Sequence, residues 1–172
     1  MLTLIQIDKS GSDLFEKDYS VVITVNKKEV YGVNIPQELK DKIIHNFKQG
    51  SLRIKGTSDK TTKNRLRMRF HTAVIILLIK KALYDLGDIG DISLEVCNDF
   101  DGHFHELGDM LFTQLQRLVP TILREDIVLA RFQKPSLIDN AGKAFRLKDK
   151  EKLRDFTQVK IEFDEIYRLI KK

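Results

Sequence analysis

From about residue 64 to residue 86 the chain has helical spacing, and its middle, Ala73-Val74-Ile75-Ile76-Leu77-Leu78-Ile79, is apolar on every side. A surface helix shows one apolar stripe. A helix that is apolar all round is buried on most faces. This segment is therefore expected at the centre of the molecule, packed on a sheet. It is also the longest unbroken apolar run, far short of the about 20 residues that span a bilayer, so no membrane partner is expected.

The remaining pattern supplies the sheet. Residues 2–8 are β-rich. The segment opens without a basic region and reaches a carboxylate at once, so it reads as a strand rather than a signal peptide. Tyr19–Val25 is a run of mostly β-branched residues. Asn26–Glu29 is a polar turn, and Val30–Ile35 pairs back as the second arm of a hairpin. Pro36 suits the first turn of a helix, which Leu39, Ile43, Ile44 and Phe47 continue and Gly50 ends. Ser51–Lys63 reads as a polar loop in which Leu52-Arg53-Ile54 has strand character.

After the long helix, Gly87 and Gly90 bracket a turn into the strand Ile92–Val96. Leu107, Met110, Leu111, Leu115 and Leu118 share one face of a helix over about 104–118. Ile127–Phe132 reads as a buried strand, and Ser136 opens a helix with Leu137, Ile138, Ala141 and Phe145 on one side. From Thr157 onward Val159, Phe163, Ile166, Tyr167 and Ile170 have helical spacing, although Val159–Phe163 also alternates as a strand does. An antiparallel start followed by β-α-β-α predicts an α/β fold: a mixed β-sheet with an antiparallel hairpin start, flanked by helices. The 172 residues fit one domain, with no repeat and no linker.

The densest chemistry lies at Cys97-Asn98-Asp99-Phe100-Asp101-Gly102-His103-Phe104-His105-Glu106. Asp99, Asp101, His103 and His105 recur every second residue, which in an extended chain places all four on one face. Carboxylates suit Mg²⁺ or Mn²⁺, and adding the two imidazoles would suit Zn²⁺. The structural alternative has Asp101 or His103 capping a helix, with Glu106 in its first turn. Ligands in mixed sheets gather at the carboxyl ends of neighbouring strands. That rule adds Asp8, which ends the first strand, and Asp139 in the helix after Phe132. Asp139 also has a capping reading with Ser136, and Lys143 lies one turn further along the same face. Cys97 is the only cysteine. It reads as a buried small hydrophobe, and the absence of cysteine pairs predicts a reducing, cytoplasmic location.

The basicity is concentrated. Arg53, Lys55, Lys60, Lys63, Arg65, Arg67 and Arg69 stand against a single Asp59, while the whole chain nets +5. Such a segment suits phosphate contacts with DNA or RNA, or serves only as a solvated face. There is no Gly-rich phosphate loop, no Gly-x-Ser-x-Gly elbow and no His-Glu-x-x-His.

In layout the chain resembles the RNase H-like superfamily of nucleases and resolvases, over roughly residues 1–145. Asp8 in Ile7-Asp8-Lys9-Ser10-Gly11 matches the first-strand acid, Asp99 or Asp101 the acid after the fourth strand, and Asp139 the late-helix acid. Many members draw a further acid from the helix after the hairpin. The long helix here offers Arg65, Arg67, Arg69 and His71 instead. The resemblance implies metal-assisted phosphodiester hydrolysis, with Mg²⁺ or Mn²⁺ held by Asp8, Asp101 and Asp139, joined by Asp99 and His105 in the metal set. His103 would move protons or position water, and the 53–69 segment would hold the nucleic-acid backbone. The alternative is a non-catalytic nucleic-acid-binding or protein-interaction module on the same kind of fold.

Overall fold

The structure, a computed structural model, describes residues 1–100 and 102–171. Six strands form one sheet: β1 (Leu2–Gly11), β2 (Tyr19–Val25), β3 (Glu29–Asn34), β4 (Asp91–Cys97), β5 (Ile127–Ala130) and β6 (Thr157–Gln158), in the order β5-β4-β1-β2-β3-β6. β1, β2 and β3 run antiparallel as a meander. β4 lies parallel to β1, β5 parallel to β4, and β6 parallel to β3. The helices are α1 (Gln37–Lys48), α2 (Asp59–Leu86), α3 (Phe104–Leu115), α4 (Leu137–Leu147), α5 (Lys150–Leu153) and α6 (Phe163–Lys171). The α/β class and mixed sheet expected from the sequence are therefore present.

β2 shows why the sheet is covered on both faces. All seven of its residues are buried. Val21, Ile23 and Val25 join the main core under α2, whereas Val22 packs with Ile138, Ala141, Ala144 and Phe145 of α4. Successive side chains of a strand point to opposite faces, so β2 needs a helix on each side. α2 supplies one layer through Ala73–Ile79, buried throughout as its sequence demands. α4 supplies the other, and comes so close to β3 that a Cβ at Gly32 would meet the Phe145 ring at 2.6 Å.

Several elements differ from their sequence reading. β1 does not end at Asp8. It continues to Gly11 because β2 goes on pairing with it after its parallel register with β4 stops at Ile7–Val96. α2 begins at Asp59, a turn early, because Ser58 caps it by accepting the Thr61 N–H. The 51–63 loop is shorter for the same reason, and Leu52–Ile54 forms no strand. α3 ends at Leu115 rather than near 118. β5 is an edge strand rather than a buried one: only β4 pairs with it, and Val128 and Leu129 are 42% and 45% exposed. In the tail, Thr157–Gln158 forms a short strand, residues 159–162 are neither strand nor helix, and α6 follows, with Ile166 and Ile170 in the main core. No helix of the described residues is long and apolar enough to cross a membrane.

Candidate metal centre

Asp8 lies one step beyond the last parallel pair of β1 with β4, opposite the end of β4 at Cys97. Alternation places it on the face opposite Ile5 and Ile7, which are buried in the main core. On that same face Gln6 donates to Glu95 at 2.9 Å, so a polar strip runs along both strands into the site. Beyond Cys97 the chain turns tightly, with the Asp99 N–H donating to the Cys97 carbonyl at 2.9 Å. Asp99 is thereby folded back toward Asp8. A carboxylate oxygen of each acid and Cys97 Sγ all lie within 4.8 Å of one another. Among the described residues, no other three His, Cys, Asp or Glu ligands come together in this way.

The electrostatics of the cluster follow from burial and like charge. Burial and the Asp8 charge push the Asp99 carboxyl up to about 7, against a smaller pull from Lys9. Burial also raises Asp8, and Asp139 adds to the rise; hydrogen bonds from the Cys97 thiol and the Lys9 N–H oppose it. Burial and the two carboxylates push the Cys97 thiol up to about 12. Asp99 Oδ2 is buried with no hydrogen-bond partner among the described residues. Buried polar oxygens are rarely left so, and each such case calls for a ligand or a cost.

Asp139 reaches the neighbourhood from the first turn of α4. Ser136 Oγ accepts its N–H at 3.3 Å, so the capping reading holds alongside any functional one. The carboxylate is 8% exposed and lies between Lys134 Nζ at 3.8 Å and Lys143 Nζ at 3.4 Å. These ion pairs leave Asp139 Oδ2 without an aligned hydrogen bond.

The other expected site residues divide. Asp101 lies outside the described residues. Gly102 has φ +75°, which breaks the every-second-residue register before α3 begins. His103 occupies the N-cap position of α3 but makes no side-chain capping hydrogen bond, and its Nδ1 is 3.9 Å from Glu106 Oε2. His105 is exposed on α3 and outside the acid cluster; its carbonyl accepts from Arg124. In the basic segment Arg53, Lys55, Lys60 and Lys63 are exposed. Three arginines are held within the molecule. Arg65 pairs with Glu106 at 3.2 Å, Arg67 pairs with Asp13 at 3.2 Å and lies over Phe15, and Arg69 donates to the Ile170 carbonyl.

Sequence reasoning missed several neighbours of the acids. Cys97 is part of the cluster, half-buried rather than a core hydrophobe; its spacing two residues before Asp99 was the available signal. Lys9, next to Asp8, holds its ammonium 5.5 Å over the Phe100 ring. On the other element contacting Phe100, His71 is fully buried, with Nδ1 2.6 Å from the Tyr19 hydroxyl and its ring 5.2 Å from Phe100. Burial holds the His71 imidazole down to about 3, with Lys9 adding to the effect, so it is neutral at ordinary pH.

No protein-family model, curated protein or solved structure matches the chain.

Proposed function

We propose that this chain is a divalent-metal-dependent nuclease that hydrolyses nucleic-acid phosphodiesters, on the RNase H-like plan its layout resembles. The carrying observation is the convergence of Asp8 and Asp99 from adjacent parallel strands, with donor atoms within 4.8 Å and Asp99 Oδ2 buried and unpartnered. Two half-buried carboxylates, both raised by burial and Asp99 further raised by the Asp8 charge, form a site that gains from a cation. Asp139 bears on the site through its charge, which adds to the rise of Asp8.

The donor set fits a hard cation. Carboxylate oxygens suit Mg²⁺ or Mn²⁺, while a thiol pushed up to about 12 stays protonated and contributes little. A bound Mg²⁺ or Mn²⁺ would polarise the phosphate and acidify water. Hydrolysis adds water across a P–O bond: the water oxygen bonds to phosphorus and loses a proton, and the departing oxygen gains one. His103 borders the space beside Asp99 and would move such a proton. Lys134 and Lys143 hold Asp139 while keeping their amines largely in solvent, where they meet the strand's phosphates. A cytoplasmic location, consistent with one free thiol, belongs to the same proposal.

The test is to incubate the protein with labelled single-stranded, duplex and branched DNA and RNA in Mg²⁺ or Mn²⁺. Cleavage is expected of at least one substrate, abolished by chelator and by Asp99→Asn in protein that remains folded by circular dichroism. Salt-sensitive binding without cleavage of any substrate would replace this reading with a non-catalytic nucleic-acid-binding role.

A further inference from the structure

Next to the acid pair lies a cavity of about 330 Å³, walled by the end of β1 and its following loop, the first turns of α2, and the segment between β4 and α3. Lys9, Lys60 and Arg67 line it, with Asp13, Asp99 and His103. Asp13 is engaged by Arg67, whose Nε is nonetheless buried without an aligned hydrogen bond. Among the described residues no carboxylate comes within ion-pair distance of Lys9 or Lys60, although Asp99 shares the cavity. Arg67 and Asp13 thus offset each other, and Lys9 and Lys60 border a space whose one further carboxylate among the described residues, Asp99, is already assigned to the metal centre.

We propose that this cavity is a phosphate subsite, which receives the backbone phosphate adjoining the one hydrolysed; the inference rests on the nuclease reading and adds to it a fixed point for the strand. Ammonium and guanidinium groups are the side chains suited to phosphate oxygens. The subsite is coupled to the metal centre because Asp99 belongs to both. Ionised and bare, Asp99 repels a phosphate in the cavity. With a divalent cation on it, the same corner attracts one. Phosphate and cation therefore bind cooperatively, and each tightens the other by the same factor.

The experiment is calorimetric titration of the full chain with inorganic phosphate and with adenosine 5′-monophosphate, in chelator and in Mg²⁺, using the parent, Lys60→Ala and Lys80→Ala. Lys80 is exposed on the same helix but does not line the cavity, so it controls for general surface charge. Expected is saturable one-to-one binding of phosphate, tighter in Mg²⁺, about tenfold weaker in Lys60→Ala and unchanged in Lys80→Ala. Absence of saturable phosphate binding, equal loss in both variants, or binding of the nucleotide but not of phosphate would overturn the subsite. Phosphate binding in chelator by a protein that never responds to Mg²⁺ would keep the subsite and remove the metal-dependent reading. Mg²⁺-dependent cleavage without phosphate binding would do the reverse.

Discussion

The surroundings of Asp99 strongly disfavour its ionised form, and this should be visible in stability. Its folded-state value of about 7 stands above its ordinary 3.8. The folded protein therefore binds this proton more tightly than the unfolded chain. The resulting stability is present below about pH 4 and is lost as pH rises through about 7. His71 acts in the opposite sense: held to about 3 against an ordinary 6.5, it contributes stability above about 6.5 that is lost as pH falls toward 3. The two slopes overlap and partly cancel, so the informative quantity is a difference. The stability of Asp99→Asn relative to the parent should rise between pH 4 and pH 8, at up to about 1.4 kcal/mol per pH unit, in urea unfolding at a series of pH values. A difference that stays constant with pH would mean that Asp99 is not perturbed. The same proton opposes a cation, so Mn²⁺ should bind about tenfold more weakly at pH 6 than at pH 8, readable by the Mn²⁺ dependence of thermal stability.

Among the elements, α4 both closes the second face of the sheet and carries Asp139. Its anchor is Phe145, 2% exposed against Val22 and Val30, in the groove left by Gly32. Phe145→Ala should cost about 3–5 kcal/mol in urea unfolding; a cost under 1 kcal/mol would show that α4 docks without it. This helix was legible in the sequence because Ser136 and the apolar spacing of Ile138, Ala141 and Phe145 report the same element. α2 was legible through its apolar middle but not at its start. Asp59 to Lys63 contains no apolar residue, so periodicity is silent there, and only the Ser58 cap marks the helix end. β5 was misread because Ile127–Ala130 is apolar without being covered. Apolar composition does not distinguish an edge strand from a central one; pairing partners do.

At the scale of the whole molecule, the clustered positive charge splits into two kinds. Arg65, Arg67 and Arg69 tie α2 to α3, to the loop after β1 and to α6. Lys63 and its exposed neighbours have no such bonds among the described residues. Lys63→Ala should leave thermal stability unchanged and reduce the salt slope of nucleic-acid binding by about 0.7–0.9 if that lysine meets one phosphate. Arg65→Ala should instead lower stability, by under about 1 kcal/mol for so exposed a pair. The acids were legible one by one, since strand ends and helix starts are marked in sequence. The meeting of Asp8 and Asp99 was not, because it depends on β4 stopping at Cys97 while β1 runs on to Gly11; Asp139, carried by α4 over β1 and β2, acts on Asp8 by charge from outside that cluster. The cavity was less legible still, being assembled from residues as distant as Lys9, Lys60 and Asp99. The most direct test of the central claim is a Mn²⁺ titration, followed by thermal unfolding in mildly alkaline buffer, of the parent, Asp8→Asn, Asp99→Asn and Asp139→Asn. A saturable rise in Tm is expected in the parent, abolished in Asp8→Asn and Asp99→Asn and reduced in Asp139→Asn; no rise in the parent, or the same rise in all four proteins, would contradict a metal centre built on these acids.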